Sequence, residues 1–172
     1  HKGKTIFVGD TSVHEYPTSE QMAEIAISTA RVVRLFGFEP KVAFVSHSTF
    51  GQPLTSRTKH IRKAVDILKE QKVDFEFDGD MQPDVALNSE YKELYPFSNI
   101  VGKANILIMP GQHSAAISYK MMKTLGDTKV IGPLLIGLGL PIEIAPLRSS
   151  TSELINLASV AAYSADIIDY KK

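Results

Sequence analysis

The chain has no cysteine in its 172 residues, which excludes disulfide staples, thiolate catalysis and cysteine-ligated metal sites. Neither charge is in excess. Nineteen Lys and Arg balance nineteen Asp and Glu, mixed along the chain, whereas a nucleic-acid-binding surface demands a basic surplus. No apolar run approaches the ~20 residues of a membrane-spanning helix, and there is no signal-peptide or lipidation motif. The expectation is a soluble, cytoplasmic protein that meets neither membrane nor nucleic acid. No serine sits in a nucleophile-elbow sequence, so a hydrolase triad finds no support. Internal repeats, low-complexity segments and flexible linkers are lacking too. A chain this long holds one good core or two small lobes. Residues 1–3 are set aside as a tag remnant or linker.

What is present is organised around Ala104–Lys120. An apolar run, Ile106 to Met109, breaks at Pro110-Gly111, passes a polar loop and resumes with helical spacing. Ile117, Met121 and Leu125 recur every fourth residue, and Gly126 stops the pattern as a helix end should. A short apolar run bounded by Pro-Gly predicts a strand buried on both faces, as a parallel sheet requires. A strand that runs through a Gly-containing loop into a helix start leaves backbone N–H groups unpaired, and these favour phosphate or another anion.

Taken in order, Lys4–Val8 predicts a first strand, followed by the polar loop Asp10–Pro17. Thr18 with Gln21 forms a capping-box pair opening a helix. Met22, Ile25, Ala26, Val32, Val33 and Phe36 line its inner face, and Gly37 closes it. Lys41–Val45 is the second strand, and Ser46–Pro53 a loop dense in hydroxyls. A second helix runs from about Ser56 to Gln71 with Ile61, Ala64, Val65 and Leu68 inward. Its outer face carries Arg57, Lys59, Arg62, Lys63 and Lys69. Val73–Phe77 alternates and predicts a more exposed, edge strand. The loop Asp78–Pro83 then leads to a short helix around Val85–Leu87, and Tyr91–Pro96 is irregular or a helical turn. Val130–Gly137 predicts another apolar strand. Ser150 or Thr151 with Glu153 starts the last helix, with Leu154, Leu157, Ala158, Ala161, Ala165 and Ile168 on one face. Strands alternating with amphipathic helices imply an α/β fold, a mostly parallel sheet with helices on both faces. The polar loops all follow strand ends, which gather on one rim of such a sheet, where ligands bind.

At this point the residues carry a resemblance. Asp10–Gln21, Ser46–Gly51, Asp78–Ala86, Ile106–Gly111, Ile117–Lys120, Ile131–Leu138 and Glu153–Ala158 resemble successive signature segments of the phosphate acetyltransferase/butyryltransferase family. More narrowly, Phe75–Gln82, Met109–Ala115 and Pro133–Gly137 resemble the transferase-like C-terminal domain of bacterial NADP-dependent malic enzymes. The resemblance implies the phosphotransacetylase-like fold, shared with the isocitrate and isopropylmalate dehydrogenases. It further implies one lobe over residues 4–148, with the helix of 149–172 packing on a missing lobe or a partner subunit.

The departures from the family pattern shape the functional expectation. The family's Ser-Arg-Gly turn, whose Ser and Arg work at the thioester and phosphate, reads Pro146, Leu147 and Arg148 here. Its following Asp reads Glu153, and its Ser-Thr-Lys-Gly loop reads Ser48-Thr49-Phe50-Gly51, a cation short. Pro lacks a hydroxyl, and Leu cannot pair a phosphate or a developing negative charge. Binding without transfer is therefore the expectation. It describes a regulatory, oligomerising, acetyl-CoA-sensing domain of a malic enzyme that decarboxylates malate to pyruvate. NADP and the divalent metal belong only to the absent malic-enzyme part. Two alternatives stand beside it: an active phosphate acyltransferase moving an acyl group between CoA and phosphate, and a purely structural assembly domain. The expected partners are a further copy of the chain, at least as a dimer, the malic-enzyme catalytic domain of the same polypeptide, and acyl-CoA. The candidate acyl-CoA or phosphate contacts are Thr11, Ser12, His14, Ser46, Ser48, Thr49, Gly51, Asp78, Gln82, Gln112, His113, Ser114 and Arg148. No catalytic residue and no metal ligand is assigned, because Asp78, Asp80 and Asp84 lack calcium-loop spacing. His60, inside the second helix, reads as structural or solvated. The basic face of that helix reads as solvated, with Lys59, Arg62 or Lys63 as alternative contacts for the coenzyme's phosphates.

Overall fold

A computed structural model describes residues 5–10, 12–126, 128–138 and 140–167. Four parallel strands, β1 (Phe7–Gly9), β2 (Lys41–Val45), β3 (Glu76–Met81) and β4 (Ile106–Ile108), lie in the order β1-β4-β2-β3. The register pairs Phe7 with Ile106 and Val42 with both Phe77 and Ile106. Because side chains alternate along a strand, Val42, Phe44, Ile106 and Ile108 point to one face. There they meet Met22, Ala26, Ala30 and Val33 of α1 (Ser19–Leu35) and Ile61, Ala64, Val65 and Leu68 of α2 (Ser56–Gln71). Ala43, Val45, Leu107 and Met109 point to the other face. They bury Ala86 of α3 (Pro83–Leu87) and Ala115 of α4 (Gln112–Leu125). The sheet is thus covered on both sides, which is why β2 and β4 carry near-continuous apolar runs.

Local chemistry fixes the ends of these elements. At α1 the Thr18 N–H donates to Gln21 Oε1 (2.8 Å) and the Gln21 N–H donates to Thr18 Oγ1 (3.2 Å), the reciprocal pair expected from the sequence. Thr55 and Thr58 make the same exchange at the start of α2. His60 is structural: its ring meets the carbonyl of Pro17 at 2.9 Å and the Ser19 hydroxyl at 3.1 Å, tying α2 to the start of α1. A 3-10 turn over Ser89–Glu93 follows α3.

Three expectations need correction. The first strand is Phe7–Gly9, starting later than the expected Lys4–Val8, with Thr5 and Ile6 outside it, and running one residue further. A Cβ on Gly9 would meet Ile108 Cδ1 at 2.7 Å, so any larger residue would have to displace the end of that side chain. The third strand runs through Met81, so Asp78 and Asp80 are strand residues and not part of a loop. It lies at the sheet edge as expected. Val130–Gly137 forms no strand. Pro133 has no N–H to offer a ladder, and Gly132 (φ +116°) is outside the β region.

The last helix, α5, spans Thr151–Ile167. It buries Leu157, and the Tyr163 hydroxyl donates to the Leu35 carbonyl at 3.0 Å beside the Phe36 ring. Leu154 and Ile155 are exposed, as are Ile117, Met121 and Leu125 of α4. The periodicity seen in the sequence is real, but among the described residues that face of α4 is uncovered. Ile168 lies outside the described residues. Among the described residues no helix is long and apolar enough to cross a membrane.

Candidate functional site

The topology selects one rim. The chain leaves β1 and β2 towards the face of α1 and α2, and leaves β4, which sits between them, towards the opposite face. Adjacent strands whose connections diverge in this way open a crevice at their carboxyl ends. The loops 10–17, 46–55 and 109–112 meet there.

The first loop is held by Asp10, whose backbone is left-handed (φ +46°). Its carboxylate accepts the N–H groups of Val13 (2.9 Å) and His14 (3.1 Å) and the Nδ1–H of His14. A carboxylate can only accept, so Nδ1 carries the proton. The half-buried imidazole therefore keeps Nε2 for another partner. Ser12 is exposed on the same loop, and Thr11 lies outside the described residues. The loop then folds over the start of α4. The Gln112 N–H donates to the Glu15 carbonyl at 3.2 Å, and a Cβ on Gly111 would meet that same oxygen at 2.7 Å. The Ser114 hydroxyl turns back to the Gly111 carbonyl (2.8 Å), so it serves the helix end. His113 stays exposed, with Nε2 3.8 Å from Glu15 and its ring nearly parallel to Tyr16.

The second loop is fastened to β3. Ser48 donates to Asp80 Oδ2, the Gly51 N–H donates to Asp80 Oδ1 at 3.0 Å, and the Phe50 N–H donates to the Asp80 carbonyl at 2.6 Å. The Gln82 N–H reaches Thr49 Oγ1 (3.2 Å), and its side-chain amide reaches the His47 carbonyl (2.8 Å). Ser46 lies 3.3 Å from Ser48, hydroxyl to hydroxyl. Ser46, Ser48 and Thr49 are buried.

The structure therefore redistributes the candidate contacts. His14, Gln112 and His113 come together at the rim, with Gly51 on the neighbouring loop. Ser46, Ser48, Thr49 and Gln82 adjoin it, but their polar groups are engaged in holding the loop. Asp78 is not a rim residue: buried in β3, it accepts the N–H groups of Asn99 (2.6 Å) and Gly79 (2.9 Å). Arg148 lies elsewhere. It lines a cavity of about 190 Å³ with Lys123, Val130, Pro146, Asn156 and Leu157. Lys123 stands eleven residues beyond Gln112 on α4, about 16 Å along the axis at 1.5 Å per residue.

Beside that cavity the Glu153 carboxylate is already engaged. Glu153 takes Lys123 Nζ at 2.7 Å on one oxygen and the Ser150 N–H (2.8 Å) and hydroxyl (2.9 Å) on the other. The bond from Lys123, aided by those from Ser150, holds its carboxyl down to about 2. It caps α5 and is not poised to take a proton at neutral pH. Leu147 is fully exposed.

Reading the sequence alone missed four residues at the rim. Asp10 and Asp80 read as loop residues in the sequence, although Asp10 is half-buried, Asp80 buried, and both accept hydrogen bonds. Tyr16 has no assigned role in the sequence reading, which places Arg57 only on the solvated basic face of the second helix, yet the Arg57 guanidinium lies 5.6 Å over the Tyr16 ring. An exposed aromatic just before Pro17, with an arginine in the first turn of a facing helix, was the available signal.

A parallel sheet wrapped on both faces, with its crevice at the carboxyl ends of β1, β4 and β2, defines an α/β protein of the phosphotransacetylase type. The chain belongs to the phosphate acetyl/butaryl transferase family, whose pattern it matches over residues 1–162. It is 49% identical over 164 residues to an NADP-dependent malic enzyme of Rhizobium meliloti, covering 95% of this chain and 22% of that protein. A phosphate acetyltransferase of Clostridium acetobutylicum is 35% identical over 162 residues, 49% of its own length. A crystal structure of a phosphotransacetylase from Streptococcus pyogenes superposes with a TM-score of 0.90 at 31% identity. That match covers 96% of this chain and 50% of the solved one. The chain thus spans about a fifth of the malic enzyme and half of the transferases.

Proposed function

We propose that this domain is a regulatory, oligomerising module that senses acetyl-CoA within a longer, cytoplasmic NADP-dependent malic enzyme polypeptide, and that it does not itself transfer acyl groups. The observation that carries the reading is the turn before α5. Where the family resemblance expects Ser, Arg and, in the following helix, Asp, this chain has Pro146, an exposed Leu147 and a Glu153 already bound to Lys123 and Ser150. Oxyanion-type stabilisation contributes about 3–4 kcal/mol per donor in acyl transfer. Its loss removes the chemistry while leaving the rim loops, with His14 on the first of them, to hold a ligand.

On this reading acetyl-CoA acts by preferring one arrangement of the assembled domains. A differential affinity of roughly 5- to 150-fold, or about 1–3 kcal/mol of coupling, is enough to move the malate-decarboxylating part. NADP, the divalent metal and malate would all be handled outside this chain. The exposed apolar face of α4, Ile117, Met121 and Leu125, favours the assembly part of the proposal and is also what a purely structural domain would show.

The test is isothermal titration of acetyl-CoA into the full-length protein, with malate oxidation followed in parallel and acetyl phosphate formation assayed separately. Micromolar binding that lowers malate turnover, with no acetyl phosphate formed, is the expected result. Binding without effect on turnover would leave a vestigial pocket. Acetyl phosphate formation would establish a transferase instead. No binding at millimolar acetyl-CoA would leave assembly as the domain's role.

A further inference from the structure

We propose that Tyr16, His113 and Arg57 form the platform on which the adenine nucleotide of an acyl-coenzyme ligand docks. The proposal rests on the coenzyme reading above and assigns one end of that ligand to a defined surface.

Three planar groups from three elements converge over the carboxyl ends of the strands. Tyr16 comes from the β1–α1 loop, Arg57 from the first turn of α2, and His113 from the first turn of α4. The Tyr16 and His113 rings are inclined by only 11° with centroids 6.4 Å apart, and the Arg57 guanidinium sits over Tyr16 at 5.6 Å. Tyr16 is 61% exposed, and the His113 side chain 71%. A phenol ring left this open costs hydrophobic free energy that burial against a partner would recover.

The array is preorganised. Glu15 lies 3.8 Å from His113 Nε2, and the Glu15 carbonyl is fixed by the Gln112 N–H. Tyr16 Cδ1 would be 3.8 Å from a Cβ on Gly111, so the ring rests against the start of α4. Rigid, exposed aromatic faces with a guanidinium beside them suit a heteroaromatic base, which stacks on both. Arg57 sits over the Tyr16 ring and makes no hydrogen bond or ion pair among the described residues. Its edge donors are therefore available for the bidentate contact that a phosphate takes. Base and phosphate on adjacent groups are the two ends of a nucleotide.

The experiment titrates three probes into the full-length protein: acetyl-CoA, adenosine 3′,5′-bisphosphate, and S-acetylpantetheine, which lacks the nucleotide. It is repeated with Tyr16→Ala, Tyr16→Phe and Arg57→Gln. A stacked base is lost with its ring, so Tyr16→Ala should weaken acetyl-CoA and the bisphosphate about tenfold each. S-acetylpantetheine should be unaffected, and Tyr16→Phe should bind normally. Arg57→Gln should weaken only the two phosphate-bearing probes. Tyr16 is exposed, so its substitution leaves the core intact, and Tyr16→Phe controls for the loop. Unchanged acetyl-CoA affinity in both Tyr16→Ala and Arg57→Gln would overturn the platform while leaving the coenzyme reading standing. Bisphosphate binding lost in Tyr16→Ala, in a protein that ignores acetyl-CoA, would keep the platform and remove the coenzyme reading. No probe binding the unaltered protein would remove both.

Discussion

Ser48 donates a hydrogen bond to the Asp80 carboxylate at a point where both side chains are sealed from water. The second carboxylate oxygen takes the Gly51 N–H at 3.0 Å, so one residue of β3 holds the loop that follows β2 at two points. Asp80→Ala would strand a buried hydroxyl and a buried amide, each costing about 1–3 kcal/mol when left unpaired. A loss of about 2–4 kcal/mol in urea denaturation is expected. Asp80→Asn, which can still accept one of the two bonds, should lose less.

The same strand makes a second prediction. Gly79 has φ +156°, and a Cβ there would meet Phe44 Cβ at 2.7 Å and the Phe44 carbonyl oxygen at 2.9 Å. Backbone cannot step aside, so Gly79→Ala should cost about 2–4 kcal/mol through overpacking and strain. Gly51 is also left-handed (φ +79°), but its nearest obstacle is the tip of Arg62, which can move. Gly51→Ala should cost only the conformational penalty of about 1–2 kcal/mol. Denaturation midpoints of the two variants, compared side by side, check the ordering.

Acid should act on two surface carboxylates. Glu20, bound by Lys63 at 2.7 Å, and Glu153, bound by Lys123, are each held at about 2, below the ordinary 4.5. A carboxyl whose folded value is depressed contributes stability that is complete above the unfolded value and lost as pH falls through the folded one. Both contributions should therefore fade between about pH 4.5 and pH 2. Both groups are solvent-exposed, so salt should shrink the effect. Carboxyl chemical shifts followed by NMR should show Glu153 returning towards 4.5 in Lys123→Met, with Glu20 unmoved.

On the proposed assembly, charge placed on the uncovered face of α4 should separate folding from association. Ile117 and Met121 are 57% and 54% exposed, so Ile117→Lys with Met121→Glu should shift the chain's own stability by no more than about 0.5 kcal/mol per site. If that face joins copies of the chain, light scattering should show the variant's mass falling to a smaller species. An unchanged mass would move the interface elsewhere.

Most of the element pattern was legible in the residues because it is local. The Thr18–Gln21 pair opens α1, and the inward face of α2, Ile61, Ala64, Val65 and Leu68, is the buried one. What escaped depends on partners distant in sequence. Asp78 and Asp80 read as loop because nothing nearby in sequence shows that Asn99, Ser48 and Gly51 supply their donors. Val130–Gly137 has strand composition, but Gly132 and Pro133 spoil the ladder. The candidate site fared similarly. The strand-end loops after β1, β2 and β4 do gather on one rim, but whether a hydroxyl faces outward or its own protein is decided by tertiary contacts. Ser48, Thr49 and Ser114 all turned inward. Arg148 was joined to the rim by motif order, while α4 carries its cavity some 16 Å away.

The strand order β1-β4-β2-β3 sets a timetable for the chain. β4 emerges last during synthesis, yet it is the strand that joins β1 to the rest of the sheet, with Phe7 pairing to Ile106. Until it arrives, β1 has no ladder partner, while β2, α2 and β3 can assemble as a contiguous right-handed unit. Closing so long a loop is an entropic cost met late, which slows folding and leaves the apolar edge of β2 open to wrong partners meanwhile. A ribosome-bound chain ending before residue 104 should therefore engage chaperones that the finished domain ignores.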